Sequence, residues 1–131
     1  MNLLIDTHCW LWMQAEPERL ANPVREILTD PATGIFLSAA SVWEMSIKIA
    51  LGKLRFPGSI REYVLSRNGQ HGISRLPITQ SHALQIAQLP AHHRDPFDRM
   101  LVAQAQVENL PILTSDAAFR SYDVEVIHAS R

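Results

Sequence analysis

The apolar run Leu3-Leu4-Ile5 stops on Asp6, and the residues after it, Thr7 to Ala15, read as a helix. The same change from a short apolar run to a longer amphipathic stretch recurs along the chain. "GIFLSA" (34–39) is a strand pattern followed by the helix pattern "SVWEMSIKIALGKL", which stops at Gly52. "NPVREILTD" predicts a helix with Asn22 as N-cap and Pro23 at its first position. A weaker helix covers 59–67, "ISRLPI" (73–78) reads as a strand and "TQSHALQIAQL" (79–89) as a helix. "DPFDRMLVAQAQVEN" (95–109) is a well-signalled helix with Asp95 as N-cap and Pro96 in the first turn. "PILTSD" (111–116) is a further strand, "AAFRS" (117–121) a helical turn and "VEVIH" (124–128) a last strand. Short apolar strands alternating with longer helices predict an α/β fold, a parallel sheet covered on both faces. Ligands of such sheets bind outside the carboxyl ends of the strands, so the residues just after each strand are the candidates for chemistry.

Acids stand at those positions. Asp6 and Asp116 follow the strands "LLI" and "ILT", while Glu44 and Asp98 fall in the first turns of predicted helices. Each acid also has a capping explanation. Ser41 and Glu44 have the spacing of a capping box, Asp95 and Asp98 suit a capped helix start, and Asp116 suits the turn after it. Their apolar setting favours a shared role. Glu44 is surrounded on its helix by Val42, Trp43, Met45, Ile47, Ile49 and Leu51, and Asp98 shares a face with Val102 and Ala105. An ionised Asp6 at the rim of a core loses hydration unless another group replaces it. Carboxylates gathered there repel one another, and a hard divalent cation such as Mg²⁺ or Mn²⁺ relieves the repulsion.

Other chemistries find less support. The six histidines, with His92 and His93 adjacent, have no zinc-ligand spacing, and there is no Gly-rich phosphate loop or nucleophile elbow. Cys9 suits a core position better than a nucleophile. Phosphotransfer sites of the haloacid-dehalogenase type need a second Asp two residues after the first, where this chain has His8. Lys48 sits one turn beyond Glu44 and suits an ordinary ion pair, or, with Lys53 and Arg55, a phosphate backbone.

Size and charge narrow the picture further. A chain of 131 residues is expected to form one domain, and its net charge of −1 carries no overall nucleic-acid-binding signature. A lone cysteine excludes an internal disulfide and suits a reducing cytosol. No secretory signal or membrane-spanning run is present in the sequence, so a cytoplasmic protein is expected.

Four stretches together, "LLIDTHCWLW", "LSAASVWEMSIKIALGKL", "HHRDPFDRMLVAQA" and "PILTSD", resemble the PIN-domain ribonucleases, and more narrowly the VapC-type toxins of bacterial toxin–antitoxin pairs. The likeness spans nearly the whole chain and is thinnest at 56–75. It implies a three-layer α/β/α sandwich around a parallel sheet over 1–131, with an acidic pocket that binds Mg²⁺ or Mn²⁺ and hydrolyses RNA. Carried over motif by motif, the metal-binding and catalytic acids are Asp6, Glu44, Asp98 and Asp116, with Asp95, Thr114 and Ser115 supporting them. The resemblance also implies a homodimer and an antitoxin of the VapB type covering the pocket, with "HCWLWM" and "SVWEMSIKIAL" as the expected contact helices. A PIN-fold RNA-binding or regulatory module without turnover is the alternative.

Overall fold

The computed structural model describes residues 1–92 and 94–131; His93 lies outside the described residues. Among these, five strands alternate with six α-helices: β1 (Asn2–Ile5), α1 (Thr7–Ala15), α2 (Asn22–Thr29), β2 (Gly34–Ser38), α3 (Ala39–Ala50), α4 (Ile60–His71), β3 (Ser74–Leu76), α5 (Gln80–Gln85), α6 (Pro96–Glu108), β4 (Ile112–Thr114) and β5 (Val126–His128). Short 3₁₀ turns lie at Pro17–Arg19, Ile86–Gln88 and Ala117–Ser121.

The strands form one sheet in the order β3-β2-β1-β4-β5, every neighbouring pair parallel. The chain winds outward from β1 through β2 to β3, then returns to the other side of β1 for β4 and β5. The direction therefore reverses between β1 and β4, and the crevice at their carboxyl ends is where such a fold binds ligands.

Register follows from alternation. Leu3 and Ile5 of β1 lie beside Ile35 and Leu37 of β2, and Ile5 also lies beside Leu113 of β4. These side chains join one core layer with Trp10, Val24, Met45 and Val64. Leu4, paired with Phe36 and Ile112, faces the opposite layer with Leu101, Val102, Ala105, Phe119 and Tyr122. A strand buried on both faces needs no polar alternation, which explains the plain Leu-Leu-Ile run. Trp10 is wholly buried, and its indole N–H donates to Asn68 Oδ1 at 3.0 Å.

Two N-cap expectations are corrected, and the helix expected near 59–67 is found. Ala21, not Asn22, is the N-cap of α2, and no side chain caps it. The N-cap of α3 is Ser38, whose hydroxyl accepts from the Ala40 N–H, so Ser41 and Glu44 form no capping box. Ser41 is instead buried inside the helix, where its Oγ accepts from Thr7 Oγ1 at 2.9 Å. The stretch 56–75 contains a full helix, α4, closed by Gly72 in the left-handed conformation (φ 64°), where a side chain would be strained.

Candidate active site

Asp6 ends β1 and is the N-cap of α1: its Oδ1 accepts from the Cys9 N–H at 2.8 Å. Its backbone N–H donates to the Leu113 carbonyl, extending the β1–β4 ladder to the rim of the sheet. Its Oδ2 accepts from the hydroxyl of Thr114, the last residue of β4, and Thr114 Oγ1 in turn accepts from the Asp116 N–H at 3.0 Å. Asp6 is 5% exposed and Thr114 fully buried. A buried carboxylate with both oxygens held by donors keeps a fixed direction. One hydroxyl thus joins the two strands at the point where the sheet changes direction.

Glu44 lies on α3 and is also buried, and its Oε2 meets Lys48 Nζ at 3.2 Å, the pairing expected from their spacing. Asp98 is half-buried in the first turn of α6, behind an N-cap formed by Asp95, whose Oδ1 accepts from the N–H groups of Phe97 and Asp98. The starts of α3 and α6 meet through Trp43 and Phe97, the residues before Glu44 and Asp98, packed edge to face at 5.1 Å between ring centres. Asp116 is exposed and caps the turn after β4, accepting from the Ala118 N–H.

Hydrogen bonds therefore bring Asp6, Thr114 and Asp116 together, and the Trp43–Phe97 contact joins the helices that carry Glu44 and Asp98. Among the described residues no group of three or more His, Cys, Asp or Glu side chains is placed to hold a metal ion. The donor set itself suits a hard cation, being all carboxylate, with Asp6 fixed at the rim. Cys9 adds no soft ligand. Burial pushes its thiol pKa far up, and the charge and hydrogen bond of Asp6 raise it further, against a smaller lowering by the Ser115 backbone. A thiol held protonated is neither a nucleophile nor a ligand, and the Ser115 backbone is its neighbour.

Two polar side chains were not singled out by sequence. His82 is buried in α5, completes a capping box with Thr79 and pairs with Glu108 at 2.9 Å; a His at the third position of a Thr-capped helix is the visible signal. Arg99, next to Asp98, is the other.

The sequence pattern of the PIN domain family matches residues 3–125. The chain belongs to the PIN domain family. Over 61 residues, 47% of this chain and 43% of the relative, it is 41% identical to Ribonuclease VapC16 of Mycobacterium tuberculosis. The match thus spans less than half of that curated relative's length. The PIN fold is shared with solved structures across 98–99% of the chain. VapBC2 from Rickettsia felis bound to a promoter DNA fragment superposes with a TM-score of 0.76 at 11% identity, covering all of that chain. FitAcB from Neisseria gonorrhoeae superposes with a TM-score of 0.64 at 24% identity, covering 97% of that chain. The three-layer arrangement around a parallel sheet expected from the sequence is the arrangement found. No helix among the described residues is long and apolar enough to cross a membrane.

Proposed function

We propose that this PIN domain, spanning residues 1–131, is a metal-dependent endoribonuclease and the cytoplasmic toxin of a toxin–antitoxin pair. The observation that carries the reading is the tie between Asp6 and the β4 end through Thr114, a buried carboxylate held at the switch point of a PIN sheet. Membership of the family and the likeness to a protein named a ribonuclease support it.

Asp6 and Asp98 would hold Mg²⁺ or Mn²⁺ directly, and Glu44 and Asp116 would complete the site or orient the attacking water. A bound divalent ion supplies Lewis-acid stabilisation of the phosphoryl oxygens and acidifies water. The chain's own contribution is position and charge. Thr114 keeps Asp6 aimed by donating to one oxygen, while the Cys9 N–H holds the other. Asp95 fixes the first turn of α6 and with it Asp98. Lys48 offsets the charge of buried Glu44. Water adds to phosphorus in line with the departing 3′ oxygen, the P–O3′ bond breaks, and the 3′ oxygen takes the proton.

The partner reading also gains detail. Of the two expected contact helices, α1 turns Cys9 and Trp10 into the core, whereas α3 exposes Trp43 and Ile47, with Leu51, its C-cap, a turn further on. That α3 stripe is the surface we assign to protein contact, with a second copy of the chain or with an antitoxin.

Purified protein incubated with RNA and Mg²⁺ is expected to yield fragments with 5′-phosphate and 3′-hydroxyl ends, read by ligation-dependent sequencing. Ends bearing 2′,3′-cyclic phosphate, or intact RNA with protein bound to it, would contradict the reading; the second result is the one a binding module without turnover gives.

A further inference from the structure

Arg99 follows Asp98 on α6 and is half-buried. Its Nη1 donates to the Pro90 carbonyl at 2.9 Å and to the Tyr122 hydroxyl at 3.4 Å, and its Nη2 donates to the Ile86 carbonyl at 3.4 Å. The two carbonyls belong to the segment that leads into α6. Tyr122 directly follows the 3₁₀ turn that Asp116 caps, and its ring is buried among the residues that pack against α6. The same ring takes the edge of His92, at 5.4 Å between centres, from the segment before α6. One planar cation thus joins three pieces of chain that no strand ladder connects. Only a guanidinium presents donors in a rigid fork able to reach several acceptors at once; a lysine ammonium on a flexible stem does not reproduce it.

We propose that Arg99 is a positioning residue that clamps the start of α6, which carries Asp98, to the turn headed by Asp116, and so sets two of the four carboxylates relative to each other. The clamp stands on the geometry above, and its consequence for cleavage rests on the nuclease reading.

The test uses the full chain as wild type, Arg99→Ala, Arg99→Lys and Tyr122→Phe, with three readouts: amide hydrogen exchange, Mn²⁺ binding followed by the resonance of free Mn²⁺, and steady-state cleavage of an RNA oligonucleotide. Arg99→Ala is expected to speed exchange about tenfold or more in both 86–95 and 117–122, leaving β1 and β2 unchanged. It is expected to weaken Mn²⁺ binding and to lower kcat by about 10- to 100-fold with KM within about threefold, since small displacements of reacting groups cost turnover. Arg99→Lys recovers only part of kcat. Tyr122→Phe, which removes one hydroxyl and keeps the ring packed, acts in the same direction by about threefold, and decides the matter if Arg99→Ala does not fold.

Unchanged exchange in either segment overturns the proposal. So does faster exchange with wild-type kcat and Mn²⁺ affinity, full recovery in Arg99→Lys, or a Tyr122→Phe protein identical to wild type. If the wild type neither binds Mn²⁺ nor cleaves RNA, the nuclease reading fails. The clamp is then decided by exchange alone, sustained by acceleration in both segments and refuted otherwise.

Discussion

Asp6→Asn is expected to lower RNA cleavage by about a thousandfold or more while the protein stays folded, because several kcal/mol of charge stabilisation at the site depend on ligands that carry charge. The substitution separates the structural role of this residue from its proposed chemical one. As N-cap of α1, Asp6 accepts from the Cys9 N–H, and asparagine caps helices about as well as aspartate. At its other oxygen Asp6 accepts from Thr114; an asparagine amide donates there instead, and the hydroxyl turns from donor to acceptor. Shape and the N-cap survive; the negative charge is lost, together with the acceptor of the Thr114 hydroxyl. Circular dichroism and melting temperature close to wild type, measured beside the cleavage rate, would show that the loss is chemical. Wild-type turnover in Asp6→Asn would remove Asp6 from the catalytic set.

Removal of divalent ions is expected to have an effect as large. With EDTA in excess, cleavage should fall to background, and Mn²⁺ or Mg²⁺ added beyond the chelator should restore it. The reason is electrostatic. Asp6, Glu44, Asp98 and Asp116 would meet a polyanion, and the ammonium of Lys48 is already engaged by Glu44. The net charge of −1 gives no general attraction for phosphate either. On the proposed reading, the four carboxylates would repel a polyanion unless a divalent ion is bound. Melting temperatures with and without EDTA distinguish loss of the site from loss of the fold. Cleavage that persists undiminished in EDTA would contradict the assignment.

Much of this architecture was legible in the residues. The runs at 3–5, 35–37 and 112–113 read as strands because each is buried on both faces, and Asp95-Pro96 marks the start of α6 without ambiguity. What stayed hidden depends on residues remote in the chain. Thr114 reads as one hydroxyl among several until β4 is laid beside β1, which puts it against a carboxylate 108 positions earlier. The sequence places the start of α3 one turn too late, because two serines three residues apart both suit an N-cap; the one inside the helix is engaged by Thr7. The region 56–75 looked weak because α4 turns only Val64 and Asn68 fully inward, and the burial of Asn68 is explained only by the indole of Trp10. Arg99 resembled any solvated arginine on a helix, since its acceptors are backbone carbonyls that no side-chain pattern reveals.

The capping roles of Asp6 and Asp116 and their proposed metal role are compatible. A carboxylate held by backbone N–H groups at a helix start is pre-aimed, and the partial positive charge of the helix end stabilises it as an anion. Glu44 is the acid for which a structural account alone is least satisfying. It sits buried on a largely apolar helix, compensated by the partly exposed Lys48 one turn on.

The central claim is that carboxylates from separate segments serve one divalent ion. Anomalous diffraction from crystals soaked in Mn²⁺ tests it most directly. The account predicts a manganese peak held by Asp6 and Asp98. A peak held by other residues, or none beside Asp6 at saturating Mn²⁺, would contradict it.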